Sequence, residues 1–261
     1  MLKYLMKYDL KKMFKLIKWF YILAIVLAGI TRLLNIWNDI QIIKIIGMVF
    51  SGFTYSAIAN ILINTFIHIL MRFSHSFYKD ESYLTHTLPV KKNNLILSKY
   101  LSSLIVILSS VAVSFLSLFI IFYSPEFVQG IKMAIDGVVA GFNISGGLFI
   151  FLTLLIIFAE ICSMMSMGFT AIVKGYSYNQ KRGLKGFLWF VIYYMICSNI
   201  TLILTVIVTA ITGDLNSLFA NQMSNGAFIT LIIISLITYI AYSIIFYFLC
   251  KKEFNKGVNV D

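Results

Sequence analysis

GFLWFVIYYMICSNITLILTVIVTAITG, residues 186–213, runs for 28 residues without a formal charge. It is one of several such runs. Ile45–Met71 continues for 27 residues, Tyr100–Ser124 for 25 and Leu215–Cys250 for 36. About 20 apolar residues suffice to cross the hydrocarbon core of a bilayer. In lipid every backbone polar group must be satisfied within its own segment, and these runs are far longer than barrel strands, so the spanning element is the helix. Across the whole chain 60% of residues are hydrophobic and only 12% are charged. A water-soluble domain carries about twice that share of charge.

Six spans follow: Trp19–Trp37 with Arg32 near one end, Ile45–Met71, Tyr100–Tyr123, Gly147–Val173 with Glu160 inside it, Phe187–Ile211 and Phe228–Cys250. The expected fold class is an all-α integral membrane protein. Residues 1–18 form an amphipathic interfacial helix, residues 19–250 the transmembrane domain, and residues 251–261 a cytoplasmic tail. With both termini inside, 18 of the 21 basic residues fall in four cytoplasmic segments, leaving only Arg32, Lys44 and Lys132 elsewhere. Basic residues accumulate on the cytoplasmic side of membrane proteins, which sets this orientation. The same distribution accounts for the net charge of +11 and argues against nucleic acid as a partner, because the cations are scattered over loops rather than gathered on one face.

In the first 18 residues, Leu2, Leu5, Met6, Leu10, Met13, Leu16 and Ile17 share one side of a helical wheel. Lys3, Lys7, Lys11, Lys15 and Lys18 share another. This pattern suits a helix lying in the headgroup plane, either as a plain anchor or as a surface that also meets a cytoplasmic partner. A cleaved signal is not expected, since no small-x-small site follows the apolar stretch. The external connections 38–44, 125–145 and 214–225 read as loops, the last with a weak re-entrant character over residues 212–226. Cys162, Cys197 and Cys250 all fall in spans and suggest packed thiols rather than a disulfide framework.

The loop 72–99 is the most distinctive polar segment. Asp80 is a suitable N-cap and Glu81 suits a first helical turn. Ser82–Thr87 can form one or two turns. Leu88 precedes Pro89 and is biased out of the helical region, so the short helix ends there, and Pro89 can open the next helix at its first position. Tyr83, Leu84 and Leu88 are apolar knobs that either pack back on the spans or dock on a partner.

Within the spans, Glu160 is a costly intramembrane carboxylate that serves either helix packing or a transport pathway. Asn60, Asn64 and His68 recur at four-residue spacing and suit interhelical hydrogen bonds or a pathway wall. Met164, Met165 and Met167 supply an adaptable apolar surface. Catalysis has no support: His68, His75 and His86 have no metalloprotease spacing, and neither a G-x-S-x-G elbow nor a G-x-x-x-x-G-K-[ST] phosphate loop occurs, so no enzymatic activity and no metal site are expected of this chain.

The pattern Tyr78, Glu81, Tyr83, Leu84, Leu88, Pro89, Val90, followed by Ser98-Lys-Tyr-Leu101, resembles the membrane subunits of bacterial type-two ABC exporters. The six-span layout and the basic amphipathic N-terminus are also similar to that family. The resemblance implies a pair of permeases, identical or related, each served by a separate cytoplasmic ATPase that binds ATP and Mg. It implies that the loop between the second and third spans is a coupling helix, with Asp80, Glu81, Tyr83, Leu84, Leu88 and Pro89 at the contact. The cargo would be amphipathic: an antimicrobial peptide, a lipid or a drug-like molecule. The alternative is a non-energised membrane sensor, immunity or scaffold protein.

Overall fold

The computed structural model describes residues 2–37, 40–79, 81–87, 89–142, 144–218 and 224–256. Among them the chain is helical throughout: α1 (Leu2–Ile36), α2 (Gln41–Tyr78), α3 (Ser82–Thr87), α4 (Lys92–Phe122), α5 (Pro125–Phe142), α6 (Gly146–Tyr176), α7 (Arg182–Thr212) and α8 (Asn225–Asn255), with a 3₁₀ turn at Leu215–Leu218. Six of these, α1, α2, α4, α6, α7 and α8, are long and apolar enough to cross a membrane. The chain is a multi-pass membrane protein built as two compact units, one ending at Val128 and the other starting at Gln129.

In the first unit α1, α2 and α4 pack pairwise, and α3 adjoins α2. Ala24 and Ala28 on α1 are fully buried; Ala24 clusters with Ala57 and Ile61 of α2, and Ala28 with Ile58 and with Ile121 of α4. Alanine at these positions lets helix axes approach closely, the usual device where lipid removes the hydrophobic drive for association. Hydroxyls reinforce the seam. Thr31 and Thr54 share a hydrogen bond of 2.8 Å, the Tyr21 hydroxyl lies 2.6 Å from Ser110 Oγ, and Ser110 lies 2.8 Å from Thr65 Oγ1.

In the second unit α6 packs against both α7 and α8. Met167, Cys197, Tyr242 and Phe246 form a buried cluster joining the three helices. Thr170 Oγ1 donates to the Phe246 carbonyl at 2.8 Å and so ties α6 to α8. Where α6 hands over to α7, a Cβ on Gly175 would sit 2.5 Å from the backbone of Gly186, so this crossing requires glycine.

Three expectations are revised. First, residues 1–18 are not a separate element: α1 continues without a break from Leu2 to Ile36, 35 residues or about 52 Å. No proline or glycine interrupts it before Gly29, so nothing turns the chain between an amphipathic start and an apolar continuation. Second, residues 125–142 are not a loop but the 18-residue helix α5. Ser124 Oγ caps it by accepting from the Phe127 amide at 3.1 Å, and Pro125 takes the first helical position, where a missing N–H is harmless. Val128, Ile131, Ile135, Val138 and Phe142 recur at helical spacing along one side. Third, Pro89 does not open α4, which starts at Lys92; Pro89 and Val90 form a bend before it. The span boundaries otherwise lie inside the observed helices, except that Trp37 and Tyr123 fall one residue beyond α1 and α4, and the part of the 212–226 segment at 219–223 falls outside the described residues.

Candidate functional site

The end of the first unit that carries the N-terminus also carries the end of α2, all of α3 and the start of α4. A charged cluster joins all four. Its centre is Asp9, which sequence reasoning did not single out. Asp9 shares the buried stripe of α1 with Met13, Ile17, Ala24, Ala28 and Thr31, and is 2% exposed. The Lys99 ammonium, from α4, donates to Asp9 Oδ1 at 2.5 Å, and the Arg72 guanidinium, from α2, reaches the same oxygen at 3.4 Å. Arg72 also donates to Glu81 Oε2 at 2.7 Å, and Lys12 donates to Glu81 Oε1. Tyr8 flanks the cluster, its ring centroid 4.6 Å from Lys12 Nζ and 5.8 Å from the Arg72 guanidinium. Lys99 lies 5.7 Å from the centroid of Phe77.

Three cations and two carboxylates therefore alternate: Lys12, Glu81, Arg72, Asp9, Lys99. Arg72, Lys99 and Asp9 are almost fully buried, so the pairs made to Asp9 are not the screened surface kind, which contribute little. Burying charge is costly, and only mutual pairing offsets it. The hydrogen bond from Arg72, helped by Lys12 and opposed by partial burial, holds the Glu81 carboxyl down at about 2. Glu81 is ionised throughout the physiological range.

The cluster anchors α3. The Ser82 amide donates to the Lys79 carbonyl at 2.8 Å and the Thr85 amide to the Glu81 carbonyl at 3.0 Å, closing the short helix onto the end of α2. Glu81 is thus the hinge residue between α2 and α3, with its carboxylate turned to Arg72 and Lys12. Tyr83 and Leu84 face away, 76% and 66% exposed. Pro89 is exposed in the bend that follows. Asp80 and Leu88, the other residues of the expected contact, lie outside the described residues. The result is a small apolar ledge held by ion pairs to α1 and α2, which Asp9 in turn links to α4.

The remaining candidates lie elsewhere. Asn60 and Asn64 on α2 do not reach a neighbouring helix through these bonds; Asn60 Nδ2 donates to the Ser56 carbonyl at 2.9 Å and Asn64 Nδ2 to the Asn60 carbonyl at 3.0 Å. His68 follows one turn on, and its Nε2 is buried without a hydrogen-bond partner. Glu160 lines a half-open cavity of about 530 Å³ between α6, α7 and α8 of the second unit, together with Met164 and Met167. Among the described residues no group of three or more His, Cys, Asp or Glu side chains could hold a metal ion.

Two signals for the missed residues are legible in retrospect. Asp9 lies four residues before Met13 and eight before Ile17, so it falls on the apolar stripe rather than the lysine face. Lys99 opens the third span from the same register as Ser102, Ser103 and Val106, all of them buried. Comparison with models of protein families, with curated proteins and with solved structures finds no match to this chain.

Proposed function

We propose that this chain is the membrane subunit of an ATP-driven exporter of the type-two ABC kind, with α3 as its coupling helix. The observation that carries the reading is the anchored ledge. A helix that passes force from a soluble motor to membrane spans must present a docking surface and must be stiffly tied to those spans. Tyr83 and Leu84 supply the surface. Glu81 supplies the ties, to Lys12 of α1 and Arg72 of α2, and Asp9 of α1 in turn pairs with Arg72 and with Lys99 of α4. Aromatic and aliphatic side chains set on a short rigid element suit a groove in a folded partner, where a few buried anchors carry most of the binding energy. The partner is a cytoplasmic ATPase carrying ATP and Mg, and the lysine-rich connections face it across the inner surface of a bacterial cell membrane. A second permease, identical or related, completes the pathway, and the cargo is amphipathic.

The test is co-purification from native membranes. The parent chain is expected to bring down an ATPase subunit. The pair Tyr83→Ala and Leu84→Ala should reduce its capture at least tenfold while thermal stability stays within 2 °C of the parent, because neither side chain is part of the core. An ATPase held equally well by the double variant would overturn the assignment of α3. No ATPase in either preparation would overturn the exporter reading itself.

A further inference from the structure

The second unit contains a cavity whose chemistry the coupling cluster does not use. Glu160 lies 14 residues from the start of α6 and 16 from its end, or about 21 Å and 24 Å along the axis. That places it midway along a membrane-spanning helix, where a carboxylate is expensive and calls for a countercharge. The spans of this unit, residues 147–173, 186–213 and 225–250, hold no formal charge other than Glu160. Among the described residues, no Lys, Arg or His forms an ion pair with it.

What surrounds Glu160 is a built wall. The cavity of about 530 Å³ is lined at helical spacing by single faces of three helices, with Glu160 and Met167 from α6, Tyr194 and Thr201 from α7, and Tyr239 and Tyr242 from α8. The size falls within the range of small-molecule sites, about 300–1,000 Å³, and the mixture of apolar surface with a few convergent polar groups is typical of them. Tyr242 is locked in place: its hydroxyl donates to the Cys197 carbonyl at 3.1 Å and lies 3.0 Å from Thr201 Oγ1. Tyr239 lies within electrostatic reach of the Glu160 carboxylate. Tyrosine rings attract cations through their negative faces, an effect that strengthens away from water.

We propose that this cavity binds a monovalent organic cation with an apolar body, its charge on Glu160 and its body against the tyrosines and Met167. An anion is repelled by the same carboxylate, and a neutral apolar molecule leaves that carboxylate without a partner. The binding claim concerns this chain alone and does not require the exporter reading; under that reading the cation is the cargo.

The experiment uses the full chain in lipid nanodiscs, without any ATPase, and labelled tetraphenylphosphonium as probe, with empty nanodiscs as the baseline. Tetraphenylborate matches the probe in size and shape but carries the opposite charge. Saturable binding of tetraphenylphosphonium is expected, with none for labelled tetraphenylborate measured in a separate sample, since the two ions pair with each other when mixed, and Glu160→Gln should weaken the phosphonium binding at least tenfold. Equal affinity for the two ions, absence of saturable binding, or an unchanged affinity in a folded Glu160→Gln protein would each overturn the proposal. The comparison of the two ions needs only the parent chain, so it decides the matter even if the variant does not fold. ATPase capture through Tyr83 and Leu84 is read separately, so failure of one reading is distinguishable from failure of the other.

Discussion

Removing Asp9 should do more damage than its position near the chain start suggests. Asp9→Ala leaves the Lys99 ammonium, 7% exposed, without the oxygen that now lies 2.5 Å away, and deprives Arg72 of its contact at 3.4 Å. Breaking a buried pair by deleting one partner costs about 3–5 kcal/mol, because the remaining charge stays buried and uncompensated. For a chain of this size about 2–4 °C of melting temperature corresponds to each kcal/mol, so the midpoint should fall by roughly 6–20 °C. Deleting both partners is a different perturbation. In Asp9→Ala with Lys99→Met no charge is stranded, and replacing a buried pair by apolar groups is often close to neutral. The double variant should therefore recover most of the loss, so the two single effects are strongly non-additive, as expected of residues in direct contact. The assay is thermal unfolding of the purified protein in detergent, monitored by monodispersity after heating, for the parent, both single variants and the double variant. A midpoint for Asp9→Ala within 2 °C of the parent would refute the reasoning. So would a double variant that loses the sum of the two single effects.

Two further perturbations probe the same structure. Glu81 is held at about 2 against an ordinary 4.5, so its contribution is complete above about pH 4.5 and is lost as pH falls through about 2; unfolding followed from pH 5 down to pH 2 should show a loss in the parent that Glu81→Gln lacks. Gly175→Ala should destabilise the second unit by about 1–3 kcal/mol, because its Cβ would press on the backbone of Gly186 rather than on a movable side chain; Gly29→Ala, which meets nothing within 4 Å, is the control, and melting of the two variants side by side makes the comparison.

The short helix at Ser82–Thr87 was legible from its own residues, because the proline after it and the polar residues before it act within one or two turns. α5 was also encoded locally, in Ser124, Pro125 and the apolar spacing that follows. Gly130, Gly137 and Gly141, with Lys132 and Asp136 among them, made the segment resemble a loop. Helix propensity is a weak prior, and here packing overrode it: Ile135 and Val139 meet the start of α6 at Gly146, and Phe142 stacks on Phe228 with centroids 3.9 Å apart.

Asp9 and Glu160 show where local reading stops. Both are carboxylates set among the apolar positions of a helix, and the chain alone does not say what each will meet. Asp9 finds Lys99 at a separation of 90 residues and Arg72 at 63. Glu160 finds a cavity and three tyrosines instead, from helices that begin 22 and 65 residues further on. The sequence by itself determined that six helices cross a membrane, since the partition of an apolar run into lipid depends only on the run. Which charges are neutralised, and which is left facing a cavity, was decided by tertiary structure alone, because ion pairing and enclosure depend on distances between helices that no stretch of one helix contains.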